Sequence, residues 1–173
     1  MIRLDPQYLH TKGHVCLWQN LEQDKKRYQG YSAEMIQLMI EQVGIGLAAN
    51  QVGLNIQMFV MRKQSGEYLT CINPKLVSIG TDWHGDIPMS TMEEGCLSFP
   101  GLYMKVKRPA VVSVQYLDTK QKECIIKLEG FHARVFLHEY DHLQGITFDQ
   151  RVSKLRLEMA KKKQEKLLKG LHG

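Results

Sequence analysis

Five consecutive residues, His138-Glu139-Tyr140-Asp141-His142, constrain this chain more than any others. In a helix, residues four apart stand one above the other on the same face, so the two imidazoles meet only if this segment is helical. Two neutral imidazoles so placed can grip a single divalent cation, with Glu139 beside them to move protons. This H-E-x-x-H arrangement is that of hydrolases that activate a water molecule.

The flanking residues suit a buried helix. Phe131, Val135 and His138 are spaced by four and three and share a face with His142, while Phe136, Leu143 and Ile146 fill the sides. Gly130 precedes the segment and Gly145 stops it. Further upstream, Ser32 is placed to cap a helix over residues 33–40, which Gly44 and Gly46 end. Residues 56–61 and 68–72 have strand composition, the second closed by Asn73-Pro74. Residues 111–117 and 124–128 predict a hairpin around Asp118-Thr119-Lys120-Gln121, and Ser153 caps a lysine-rich terminal helix. The pattern predicts an α+β fold, with antiparallel β-sheets around a central metal-binding helix and a C-terminal helix. A length of 173 residues fits a single domain over 1–173, with a motif-bearing core at 32–150 and a basic helix at 151–173.

No apolar run reaches the length of a membrane span, and the start, Met1-Ile2-Arg3-Leu4-Asp5-Pro6, is too polar and broken for a signal peptide. A cytoplasmic protein with no membrane or DNA partner is the expectation. Four widely spaced cysteines without a C-x-x-C pair suit a reducing compartment. The charge is uneven: residues 151–169 hold eight Lys/Arg against two Glu, which leaves the rest of the chain at −1 from a total of +5. Such a tail is either a solvated helix face or a surface that docks on an anionic partner such as RNA.

A catalytic metal site of this type takes three protein ligands and keeps one position open. Downstream of His142 the candidates are Asp149, Glu158 and His172, none in a segment with other site-like features. Upstream lies Glu93-Glu94-Gly95-Cys96-Leu97-Ser98-Phe99-Pro100, where Cys96 follows a glycine that lets backbone and thiolate come close to an ion. A small buried apolar cysteine is the competing reading. A third segment, Gly44 to Gly53, is rich in small residues and presents Gln51 from a constrained loop; it lacks the lysine of a phosphate-binding loop.

Together these three segments resemble the peptide deformylases, in which G-x-G-x-A-A-x-Q, E-G-C-L-S and H-E-x-D-H-L-x-G occur in this order. Here they stand at Gly44 to Gln51, Glu94 to Ser98 and His138 to Gly145, and the resemblance runs from about Ser32 to the end. Residues 18–31 do not resemble the usual family start. Leu137 stands where a glutamine is common, and Phe99 where a smaller aliphatic is common.

The resemblance implies hydrolysis of the formyl group from N-terminal formyl-methionine of new polypeptides, with release of formate. It implies Cys96, His138 and His142 as ligands of one divalent metal, Fe2+ in the cell, with Zn2+, Ni2+ or Co2+ as other occupants. Glu139 would be general base and then general acid, while Gln51 and the Leu97 backbone N–H would stabilise the oxyanion. Glu94 and Arg108 would form a buried ion pair. Gly46 would bind the substrate backbone, Ile45, Phe131 and Val135 would wall a methionine pocket, and Glu94 is counted with these substrate-binding positions. The basic C-terminal helix would dock on the ribosome. Two rivals remain: a zinc peptidase, which needs a ligand downstream of His142, and a non-catalytic binding module, which would have lost Glu139, Gln51 or a metal ligand.

Overall fold

In the computed structural model, which describes residues 2–81 and 84–170, helix α1 spans Leu21–Glu41. Asn20 caps it: its side chain accepts from the Gln23 N–H at 3.2 Å, and its own N–H donates to Asp24 Oδ2 at 3.0 Å. Ser32 therefore does not cap this helix but lies well inside it, buried, 2.7 Å from the Thr70 hydroxyl. The buried stripe begins earlier than the sequence suggested because polar Asp24 and Ser32 share it with Tyr28, Met35 and Met39. The helix ends at Glu41, next to the end of the expected stretch 33–40, but not on a glycine. Val43 donates to Ile40 O at 3.0 Å and Gly44 to Met39 O at 2.8 Å, a Schellman turn whose left-handed residue is Val43 at φ 55° rather than a glycine.

Strands β1 (Gly46–Ala48), β2 (Met58–Arg62), β3 (Tyr68–Ile79), β4 (Met89–Cys96), β5 (Phe99–Pro109), β6 (Val111–Leu117) and β7 (Glu123–Glu129) precede helix α2 (Gly130–Leu143). Five of them form one antiparallel sheet in the order β1-β2-β3-β6-β7, and β4 pairs with β5 as a separate hairpin. Strand β2 shows why its apolar run is continuous. Phe59 and Met61 pack with Phe136, Leu137 and Leu143 of α2, whereas Met58 and Val60 pack with Met35 and Met39 of α1. A strand buried on both faces needs no polar alternation.

The β6–β7 hairpin forms as expected, pairing Leu117 with Glu123 through to Val111 with Glu129. Strand β3 does not close at Asn73-Pro74. It bulges there, breaking register between Ile72 and Lys75, and continues to Ile79. Asn73 takes a left-handed φ of 50° while its side chain accepts from Cys16 N–H at 2.8 Å and donates to Cys16 O at 3.0 Å. The β4–β5 hairpin was not anticipated. Its inner face, Leu102, Met104 and Val106, packs with Phe148 and with Leu157 and Ala160 of the terminal helix α3 (Lys154–Gly170). The Arg156 N–H reaches Ser153 Oγ at 3.4 Å, as a capping serine requires. None of the described helices is long and apolar enough to cross a membrane. The result is the expected α+β architecture, with α2 at its centre.

Candidate metal centre

Helix α2 places the rings of His138 and His142 with centroids 5.0 Å apart, and β4 ends on Cys96 directly across from them. One donor atom from each of Cys96, His138 and His142 lies within 4.8 Å of the others, and Cys96 Sγ is 3.2 Å from His142 Nε2. One thiol and two imidazoles converging in this way fit a single divalent ion with three protein ligands. Gly95, just before Cys96, lies against the ring of its cross-strand partner Tyr103: a Cβ there would lie 2.6 Å from that ring. Of the downstream candidates, Asp149 accepts from the Thr147 hydroxyl at 2.5 Å, Glu158 is exposed on α3, and His172 lies outside the described residues. Among the described residues no other group of three His, Cys, Asp or Glu converges.

Behind the ligands runs a chain of charges. Glu94 Oε2 is 3.0 Å from His138 Nδ1, which leaves Nε2 of that ring for the site. The same carboxylate receives Arg108 through Nε at 2.6 Å and Nη2 at 2.9 Å, as well as Arg134 Nη1. Arg108 continues through Nη1 to Asp141 Oδ2 at 2.7 Å, and Asp141 in turn accepts from Arg151 Nε at 3.0 Å. Burial alone would raise the pKa of Glu94, but His138 and Arg108 outweigh it and hold the group at about 2. The Glu94–Arg108 pair was expected. Arg134, Asp141 and Arg151 were missed, although Arg134 stands four residues before His138 on the same helix and Asp141 lies inside the motif.

Glu139 is buried beside the ligands, and its Oε2 has no hydrogen-bond partner among the described residues. Burial lifts its pKa to about 7, against the pull of His138 and Arg108. Burial likewise keeps His142 well below its ordinary value, neutral as a ligand should be. Gly46 on β1 faces the Glu139 carboxylate so closely that a Cβ would collide with Oε1. Gln51, at the end of a short 3-10 turn, is fixed at both ends of its amide. Its Oε1 accepts from the Ala48 N–H at 2.8 Å, and its Nε2 donates to Ser98 Oγ at 3.0 Å and reaches Cys96 Sγ at 3.4 Å. Leu97 and Ser98 form the turn that joins β4 to β5.

These residues border a cavity of about 620 Å³ that also includes Ile45, Gly46, Phe131 and Val135. Val135 is buried, while Ile45 and Phe131 are each more than 40% exposed and stand at the rim. Glu94 also borders the cavity, but both its oxygens are engaged by Arg108, Arg134 and His138, so its carboxylate faces inward.

Residues 10–158 match the family model described as polypeptide deformylase. A peptide deformylase of Cytophaga hutchinsonii is 36% identical over 156 residues, covering 88% of this chain and 83% of that protein. One of Treponema pallidum is 39% identical over 131 residues, 76% of each chain. The crystal structure of a peptide deformylase from Synechococcus elongatus in complex with actinonin superposes with a TM-score of 0.80 at 33% identity, covering 95% of this chain and 86% of that one. The Thermotoga maritima peptide deformylase gives 0.76 at 31% identity, covering 88% and 97%.

Proposed function

Since the chain belongs to the polypeptide deformylase family, and so is an enzyme that removes the formyl group from the N-terminus of new polypeptides, we propose that Cys96, His138 and His142 hold the metal ion on which this family depends. The convergence of those three donors beside Glu139 is the observation that carries the reading. When bound there, a divalent ion supplies a Lewis acid that polarises a carbonyl and lowers the pKa of water from 15.7 toward about 7. Mixed sulfur and imidazole donors accept Fe2+, Zn2+, Ni2+ or Co2+, and we assign Fe2+ as the occupant in the cell on family grounds.

The chain's own groups then account for the proton and the charge. Glu139 takes a proton from the attacking water and delivers it to the amine nitrogen as the formyl C–N bond breaks, so that formate and a free amino terminus leave. A carboxyl with one oxygen free and a pKa near 7 suits both halves of that task. Gln51 and the Leu97 N–H are the oxyanion donors in this reading, supported by their place against Cys96; Gln51 Nε2 must then exchange a hydrogen bond from Ser98 or Cys96 for the substrate. Gly46 offers its backbone to the peptide, and Ile45, Phe131 and Val135 line the space for the methionine side chain. Glu94 acts from behind, orienting His138, with Arg108 neutralising it.

Formylated nascent chains are met at the ribosome, which makes the cytoplasm the workplace in this reading and gives the basic α3 an anionic surface to dock on. Because Leu157 and Ala160 of α3 cover Leu102 and Met104, truncation after Ser153 would uncover core, so charge reversal at Lys161, Lys162 and Lys163 is the better test. Salt-sensitive co-sedimentation with ribosomes should disappear in that variant.

The decisive assay is formate release from a formyl-methionyl peptide by anaerobic Fe2+ and aerobic Zn2+ preparations. Turnover should require metal and fail in Cys96→Ala. A zinc peptidase would instead cleave internal peptide bonds and tolerate loss of the thiol.

A further inference from the structure

The segment before α1, which the sequence left without a role, runs as a strap against the back of the site. Asp5 donates to Gln51 O at 2.8 Å and Gly13 to Leu143 O at 3.0 Å, while His14 pairs with the loop before β2. The fit admits no side chain at its closest points. A Cβ on Gly13 would lie 2.7 Å from Ile56 O, and one on Gly145 would lie 2.8 Å from His10 O.

Two buried amides fasten the strap to the last turn of α2. Asn50, which has no exposed surface, directs Nδ2 at His142 O and lies 3.3 Å from Tyr8 O and 3.4 Å from Thr11 O. Gln57 donates through Nε2 to Gly13 O at 2.8 Å and to Leu143 O at 3.0 Å. The carbonyls of His142 and Leu143 belong to the last turn of α2, where a helix lacks its own donors; His142 O also accepts from the Gly145 N–H at 2.9 Å, so Asn50 adds a second donor there. Asn50 also stands directly before Gln51, so one side chain ties the turn bearing Gln51 to the backbone of His142.

The two histidines differ in how they are held. The His138 ring is oriented by Glu94, whereas Nδ1 of His142 is buried with no partner among the described residues. No side chain orients the second ring from behind as Glu94 does the first, so its backbone carries more of its positioning. We propose that Asn50 is a positioning residue, acting through the His142 backbone, and that residues 5–13 with Asn50 and Gln57 form a latch that sets this ligand for the metal. The latch rests on the reading of His142 as a metal ligand.

Linkage makes this testable in the unaltered protein: if the latch favours metal binding, bound metal must favour the latch. Hydrogen exchange is measured by NMR on the full chain, chelator-treated and loaded with Zn2+, together with Zn2+ stoichiometry. The amides of Asp5 and Gly13 should exchange at least tenfold more slowly with Zn2+, while that of Val114 in β6 stays within twofold. Stoichiometric Zn2+ with unchanged exchange at Asp5 and Gly13 overturns the latch alone; failure to bind Zn2+ at all overturns the ligand assignment and the latch with it. In Asn50→Asp, which keeps the shape but loses both N–H donors, Zn2+ should dissociate at least tenfold faster. Val112→Ala, loosened in the core away from the latch, serves as control. Equal dissociation rates in variants of matched Tm would make Asn50 merely structural.

Discussion

An oxygen of Glu139 left without a partner is held in place by its surroundings, chiefly by burial and by Gly46 lying against the same carboxylate. Glu139→Gln keeps the size of the side chain but removes its proton chemistry. It should retain one equivalent of metal while kcat falls by about 10²–10⁴, the usual worth of a general acid–base group. Full turnover in that variant would remove the residue from the mechanism. Glu94 is the opposite case, a carboxylate with every oxygen engaged. Glu94→Ala leaves Arg134 without a carboxylate and takes from Arg108 two of its three carboxylate contacts, with only Asp141 remaining. It should cost about 3–5 kcal/mol in denaturant unfolding, because an uncompensated buried charge is strongly destabilising. A loss below about 1 kcal/mol would mean that water reaches those guanidinium groups.

Element by element, the sequence was most legible where one period dominated. Helix α2, the β6–β7 hairpin and the terminal helix all fall where spacing and turn residues put them. The hairpin that carries Cys96 was overlooked although Leu102, Met104 and Val106 alternate with Tyr103, Lys105 and Lys107, a readable period of two. Its first strand, largely exposed from Met89 to Glu93, offers no such alternation. Helix α1 was cut short for a different reason: Asp24 and Ser32 interrupt the apolar stripe, and a serine before an apolar run imitates a cap. Asn20→Ala should cost about 1 kcal/mol if the cap is where the structure has it, whereas Ser32→Ala should not fray the helix end. At the other end, Val43 is a β-branched residue held at φ 55° and 90% exposed. Left-handed backbone costs such a residue roughly 1–2 kcal/mol, so Val43→Gly should raise stability by about 1 kcal/mol after the added freedom of the unfolded chain is counted. A lower Tm in that variant would mean that the valine makes a compensating contact at the cavity rim.

Across the whole molecule, the three motif segments were legible because chemistry restricts which residues can serve, while the strap was not, because it contributes mostly backbone groups and the amides that fasten it, Asn50 and Gln57, lie elsewhere in the chain. What joins strap, sheet and helices is two apolar layers, one on each face of the sheet, and each buries acidic protons. Cys16, packed with α1 on one side, is pushed from 9.0 up to about 11 by burial. Cys71 and Tyr116, packed with α2 on the other, are also raised by burial. In each case the folded chain keeps a proton that the unfolded chain gives up first. The contribution to stability is therefore complete below about pH 9 and is lost as pH climbs through the folded values. Cys16 alone should account for about 2–3 kcal/mol of that loss by pH 11. Denaturant unfolding at pH 7.5, 9 and 10.5 should show stability falling over the last interval, less steeply in Cys16→Ala. A flat profile to pH 10.5 would mean that both layers admit water in solution, and a slope unchanged by Cys16→Ala would mean that the layer beside α1 does.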